Sequence, residues 1–371
     1  MGLHGVLAFI KKKYPHLLRE EHLSLFAHQR VFVDISGYIY KYVCIHGNES
    51  SKWVNAFINL VHTFRKNTVY VIPIFDGKAP EAKAAEQQDR REKRQKSKER
   101  IALLEDAIKS FLEGDTSDEV VSVLHKEVEQ LQQKGKKVVS LMHKEPENAT
   151  IRITEKDVSD LKALIATIKR QTSFLTEDDQ KYLRDILDSC GVSWIQSPEE
   201  AEAYGSFLVR NGLGSAIVSG DSDCIAHRAD NIIFELDSYK GNIIYLNLKE
   251  LCEEWELSKE QLVDFGILVS CDYNIKNKRV DKIGPVTALK LLQEHKTIES
   301  IPLKDPESFS IELCRSLFNI PWKPEDVVIN SKETDPVKMR ELASMRAGIN
   351  LKQLEEIIAI NNQKTKIIIN E

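Results

Sequence analysis

Residues 192–224 read VSWIQSPEEAEAYGSFLVRNGLGSAIVSGDSDC. Two short apolar runs, Val192-Ser-Trp-Ile195 and Ser215-Ala-Ile-Val218, bracket the stretch, and acids follow each of them. Continuous apolar runs of this kind suit strands buried on both faces, as in a parallel sheet. Between them Ser197 reads as an N-cap and Pro198 as a first helical residue, so a helix is expected to start there. Strand, helix, strand is the repeating unit of a doubly wound α/β fold. Working outward, similar runs recur at Val31–Asp34, Thr68–Phe75 and Asn231–Leu236. Pro73 lacks a backbone N–H, which assigns part of the second run to an edge or a strand start.

Two segments break the alternation. Residues 80–185 are charged and helical in spacing, with Gly114 and Gly135 marking expected breaks just after helices. Thr154 reads as an N-cap before Val158, Leu161, Leu164 and Ile165. Residues 255–360 form a second helical block without strand signals.

Composition narrows the function classes. The chain has 371 residues, 42% of them hydrophobic, which allows a sizeable core. There is no run of 18 or more apolar residues, so no membrane-spanning helix is expected. The first residues place their lysines after the apolar stretch, the reverse of a secretory signal. Six scattered cysteines without a C-x-x-C pair read as reduced thiols in an intracellular protein. The net charge of −5 disfavours nucleic acid only as a total, because residues 78–100 carry nine Lys/Arg against five Asp/Glu. Phosphate contact needs such a local basic stripe, not a basic whole.

Acids recur where the apolar runs end: Asp34, Asp76, Asp221 and Asp223, with Glu200 and Glu202 just past the run ending at Ile195. Ligands of open α/β sheets bind beyond the carboxyl ends of the strands. Each acid has a plain structural reading. Ser197 and Glu200 match a capping box, acids in a first turn favour the helix dipole, Asp-x-Asp after a strand is often a turn, and Asp272 fits a surface acid. The cluster shifts the reading, because packed carboxylates repel unless a cation neutralises them. Hard oxygen ligands suit Mg²⁺ or Mn²⁺, and two such ions activate water and stabilise the leaving oxygen of a phosphodiester. No phosphate-binding Gly-x-x-x-x-Gly-Lys-Ser/Thr loop is found.

Six stretches in order resemble the flap endonuclease or XPG-type family of structure-specific nucleases. They are Met1-Gly-Leu-His-Gly-Val6, Val33–Tyr40, Phe75-Asp-Gly-Lys-Ala-Pro80 with Lys83 and Arg90-Arg91, Ser197–Ala203, Asp221-Ser-Asp-Cys224, and Leu268–Tyr273 with Ile283–Leu292. The resemblance implies a PIN-like doubly wound, mostly parallel central sheet with a helical arch insertion and a C-terminal helix–turn–helix DNA-binding region. It implies an N-terminal nuclease region over 1–100, the arch over 101–185, an internal nuclease region with the duplex-binding segment over 186–300, and a helical extension over 301–371. By the same resemblance, two Mg²⁺ ions, with Mn²⁺ as substitute, are held directly or through water by Asp34, Asp76, Glu200, Glu202, Asp221, Asp223 and Asp272. Glu199 is expected to face solvent. Lys83 and Arg90 match the basic pair near the scissile phosphate; their spacing of two helical turns puts both on one face. Asp221 and Asp223 belong with them in catalysis. Tyr40 matches an aromatic that stacks on an unpaired base, though in a pattern with Tyr38 and Tyr42 it equally fits a core. Lys276, Lys278, Arg279, Lys282 and the amides around Gly284 match the turn that grips duplex phosphates.

The family's turn also holds K⁺, and here the loop is longer and Lys282 stands where the family has Gly. The Asp34–Asp76 span is shorter than in flap endonucleases, which removes the wedge that senses a 3′ flap. The Asp76–Glu200 span is longer. Leu351–Glu371 lacks the sliding-clamp motif. These departures fit a divergent member, such as one carried by a large DNA virus. The expected partner is branched or flapped DNA, met by a monomer in the nucleus.

Overall fold

The structure, a computed structural model, describes residues 2–47, 51–136, 153–172, 175–274 and 281–369. Seven strands form one sheet: β1 (Arg19–His22), β2 (Arg30–Asp34), β3 (Tyr70–Phe75), β4 (Ile195–Gln196), β5 (Ala216–Val218), β6 (Asn231–Leu236) and β7 (Asn242–Asn247). The helices are α1 (Val6–Lys13), α2 (Ile35–His46), α3 (Ser51–Lys66), α4 (Ala84–Leu112), α5 (Asp118–Lys136), α6 (Glu155–Thr172), α7 (Glu177–Ser189), α8 (Ala201–Arg210), α9 (Asp223–Ala226), α10 (Leu248–Trp255), α11 (Lys259–Val269), α12 (Pro285–His295), α13 (Ile311–Phe318), α14 (Pro336–Ser344) and α15 (Leu351–Ile369).

The strand order is β1-β7-β6-β5-β2-β3-β4. Strands β2 to β6 run parallel, while β7 pairs antiparallel with both β6 and β1. After β2 the chain builds outward through β3 and β4, then crosses to the other side of β2 for β5 and β6. The topological switch point therefore lies between β2 and β5, which opens a crevice at their carboxyl ends. Alternate strand residues Phe32, Ile72, Ile74, Ile217 and Ile232 share one core with Tyr204, Phe207 and Leu208 of α8. Val31, Val33, Val71, Val218 and Ile233, of opposite parity, are equally buried. Burial on both faces is why the runs were continuous and not alternating.

Pro73 corrects the expectation of an edge. It pairs with Val33 in the middle of β3, an interior strand. Phe75 O accepts Ser197 N–H at 2.9 Å, so the odd residues of β3 point toward β4. The β4 ladder begins only at Ile74. The missing donor of Pro73 thus faces a stretch with no partner strand. The outer side of β4 is met in turn by a two-bond bridge between Trp194 and Asn330.

Two compact units emerge. One comprises residues 1–42, 50–86 and 175–371, and the other residues 43–49 and 87–174. The second is a helical bundle. Ile101, Leu104 and Ile108 of α4 pack with Leu124 and Val128 of α5 and Leu161 and Ile165 of α6. Thr154 caps α6 as expected, its hydroxyl accepting Asp157 N–H at 3.2 Å. Gly114 follows α4, but Gly135 lies inside α5 and not after it, in a last turn where glycine is tolerated. No described helix is long and apolar enough to cross a membrane.

Candidate metal centre

Four of the acids reach the crevice from strand ends. Asp34 closes β2 and accepts the Ser219 hydroxyl at 3.1 Å. Asp76 follows β3. Asp221 and Asp223 follow β5, with Asp221 Oδ1 accepting the Asp223 amide at 2.9 Å. Asp272 lies just past α11.

The N-cap expected at Ser197 does not form, nor does the alternative capping box with Glu200. Helix α8 starts at Ala201, and its N-cap is Glu200, whose side chain makes no capping bond. The Ser197 hydroxyl instead serves a local turn, accepting Glu199 N–H and donating to Glu200 O, both at 3.2 Å. Asp76 supplies the cap from a distance, Oδ1 accepting Ala201 N–H at 2.9 Å. Both Glu200 and Glu202 are thereby left for the crevice. Glu199 is half-buried, where solvent exposure was expected, and burial raises its pKa. Its carbonyl accepts Gly77 N–H at 2.6 Å, which draws the loop inward.

Lys83 and Arg90 do not share one α-helix, as their spacing led one to expect. Lys83 ends a short 3₁₀ turn, Glu81–Lys83, before α4 begins. It is 5% exposed, and its Nζ lies 2.7 Å from Glu200 Oε1, 3.2 Å from Asp272 Oδ2 and 3.8 Å from Glu202 Oε1. Burial lowers its pKa, but Glu200, Glu202 and Asp272 outweigh that and raise it. Tyr273, assigned no role from sequence, donates its hydroxyl to Glu200 Oε2 at 3.3 Å, and its ring centroid is 5.4 Å from the ammonium. Arg90 belongs to the helical unit.

The carboxylates respond to one another. Asp34 is pushed up to about 7 by burial, then by Asp76 and Asp221. Burial and then Glu200 and Asp34 raise Glu202 well above the usual range. Burial, then Asp221 and Asp272, do the same to Asp223. Glu200 and Asp221 are also raised, chiefly by burial. Protons or cations must fill such a cluster.

The residues fit a hard divalent cation. Asp221, Asp223 and Asp272 each offer a carboxylate oxygen, all within 4.8 Å of one another. Both oxygens of Asp223 are buried without a hydrogen-bond partner among the described residues. A buried carboxylate with no donor is costly unless a metal uses it. Gly2 lies against this triad at φ +87, and a Cβ there would come within 1.8 Å of Asp221 Oδ1. Sequence reading passed over Gly2, whose only signal was its place in the opening motif.

The other expected residues fall elsewhere. Tyr40 is 47% exposed, against Tyr42 at 7%, so Tyr42 takes the core reading and Tyr40 does not. Gly284 is the exposed N-cap of α12, and Lys282 is exposed beside it. Lys276, Lys278 and Arg279, with most of the turn expected to hold K⁺, lie outside the described residues.

Known proteins resemble this chain in sequence and in fold. A family model described as the XPG N-terminal domain matches residues 1–97, and one described as the XPG I-region matches residues 191–272. The chain is 25% identical over 338 residues to the probable RAD2-like endonuclease 076L of Invertebrate iridescent virus 3, covering 86% of each. It is 24% identical over 366 residues to flap endonuclease 1 of Lodderomyces elongisporus, covering 90% of this chain and 80% of that one. Its fold superposes on the catalytic core of Rad2 in complex with DNA substrate with a TM-score of 0.61 at 15% identity, over 96% of this chain and 99% of that one. The α/β, PIN-like fold read from the sequence is therefore the observed one.

Proposed function

The chain belongs to the XPG-type family of structure-specific nucleases, and on that premise we propose that it is a Mg²⁺-dependent DNA endonuclease with 5′-flap and 5′-exonuclease action in replication or repair. The observation that carries the chemistry is the convergence of Asp221, Asp223 and Asp272, whose carboxylate oxygens lie within 4.8 Å of one another, with both Asp223 oxygens buried and without a hydrogen-bond partner among the described residues.

In this reading, two Mg²⁺ or Mn²⁺ ions supply an activated water and charge stabilisation at the leaving oxygen. Asp221, Asp223 and Asp272 hold one position, and Glu200 and Glu202 with Asp34 and Asp76 hold the other. Lys83 brings a positive charge into the crevice, where a scissile phosphate develops negative charge. Tyr40 offers an exposed ring to an unpaired base, and Gly284 with Lys282 receives duplex phosphates at the α12 N-terminus. The protein acts as a monomer in the nucleus, the host's if the source is viral.

The test offers labelled 5′-flap, bubble and four-way-junction DNA and single-stranded RNA with Mg²⁺. Flap cleavage that vanishes in Asp221→Asn is the expected result. Cleavage confined to RNA or junctions would move the same metal site to another substrate. Tight branched-DNA binding without any cleavage would make the chain a scaffold.

A further inference from the structure

The carboxylates of the crevice are not equally open to a cation. Lys83 engages Glu200, Asp272 and Glu202 at 2.7, 3.2 and 3.8 Å, and Tyr273 closes over it while bonding the second oxygen of Glu200. Asp221, Asp223 and Asp272 form the other group. Among the described residues no side-chain ion pair reaches Asp221 or Asp223, on which Lys83 acts only at longer range. Asp272 is the one acid the two groups share.

We infer that Lys83 is the built-in counter-cation of the Glu200–Glu202 half of the centre. The chain alone then takes up one divalent ion, at Asp221–Asp223–Asp272, and the second enters only when an incoming phosphate draws Lys83 away. This rests on the metal-dependent reading above and adds an order of assembly to it.

A divalent ion at Glu200 and Glu202 would share a pocket with a buried ammonium a few ångströms away, and like charges at that range repel strongly when water is excluded. The ammonium will not leave for water, because Glu200 and Glu202 would be left uncompensated. It moves readily to another anion, and a phosphate oxygen is a natural partner for the point charge of lysine. Substrate phosphate and second ion therefore favour each other, and linkage makes that coupling reciprocal. Nuclease chemistry would be assembled on the nucleic acid and not before it.

The experiment titrates the full chain with Mn²⁺ alone and counts bound ions from the loss of the free-ion electron paramagnetic resonance signal. The unmodified chain is expected to take a single tight equivalent. Adding a 5′-phosphorylated deoxyoligonucleotide, with its own Mn²⁺ uptake subtracted, should reveal a second equivalent bound about tenfold tighter or more, within the usual range of coupling between sites. Lys83→Met should take two equivalents without the oligonucleotide, whereas Lys83→Arg should keep one. Two equivalents in the unmodified chain, with affinities the oligonucleotide does not change, overturn the inference and leave the metal-dependent reading standing. Should Lys83→Met fail to fold, the oligonucleotide arm decides alone. No Mn²⁺ bound in any sample overturns both.

Discussion

Asp76 Oδ1 accepts the backbone amide of Ala201 at 2.9 Å, across 125 positions of sequence. The acid at the end of β3 thus starts the helix that carries Glu202, and it does so in place of the local cap that Ser197 was expected to provide. One carboxylate serves both the fold and the charge of the crevice. The two roles separate by substitution. Asp76→Asn keeps an acceptor for the cap and should hold stability near the unmodified chain while metal-dependent cleavage falls. Asp76→Ala should lose cleavage and also about 1 kcal/mol, the usual contribution of an N-cap. Urea unfolding of the two variants checks this; equal stability would show that the cap contributes nothing.

Ser270 adopts φ 85° and ψ 121°, in the half of backbone space that favours glycine. It stands two residues before Asp272, with its carbonyl fixed by His4 N–H at 3.0 Å. Such a conformation costs a non-glycine residue about 1–3 kcal/mol. Ser270→Gly should therefore raise the unfolding free energy by roughly 1 kcal/mol, part of the strain relief being offset by the greater freedom of glycine in the unfolded chain. A drop in the urea midpoint would contradict the strain argument.

Gly2→Ala probes the close approach at Asp221. The added methyl meets Asp221 Oδ1 at 1.8 Å and the Asp223 amide at 2.8 Å, at a φ of +87° that alanine resists. The strand core is untouched, so the far-ultraviolet dichroism should be unchanged. A shift of about 1 Å at a ligand costs on the order of 100-fold in turnover. Cleavage of flap DNA within threefold of the unmodified rate would remove Gly2 from the site.

The pH dependence has a definite sign. Asp34 is raised from 3.8 to about 7 in the folded chain, and Glu200, Glu202, Asp221 and Asp223 are raised as well. Between those limits the folded state binds more protons than the unfolded one. Stability without added metal should therefore fall as pH rises from about 4 to about 7. Metal competes with those protons, so the increase in melting temperature on adding Mg²⁺ should grow over the same interval. Melting curves at fixed ionic strength, with and without Mg²⁺, test both trends. A metal increment that shrinks toward pH 7 would count against the carboxylates as ligands.

How much of this was legible in the sequence depends on how local each signal is. The strands β2, β3, β5 and β6 were readable because burial on both faces writes a continuous apolar run. β7 was not singled out, and β1, Arg-Glu-Glu-His, has no apolar signal at all; it is a strand because Asn242–Asn247 pairs with it. The seven acids were named from their places after the apolar runs and in ordered motifs. The start of α8 was misread, because a Ser-Pro cap is a local pattern while its real competitor, Asp76, comes from another strand. Lys83 was picked out as a cation near phosphate, but its three carboxylate partners come from segments more than 100 residues away. The sequence by itself determined that acids end the strands of a doubly wound sheet and that a basic stripe follows the second motif. Only the tertiary structure decided which acid caps, which cation neutralises and which carboxylate stands buried without a donor. Those outcomes depend on crossing the sheet at β2 and β5, and distances across a switch point are not encoded in any local spacing.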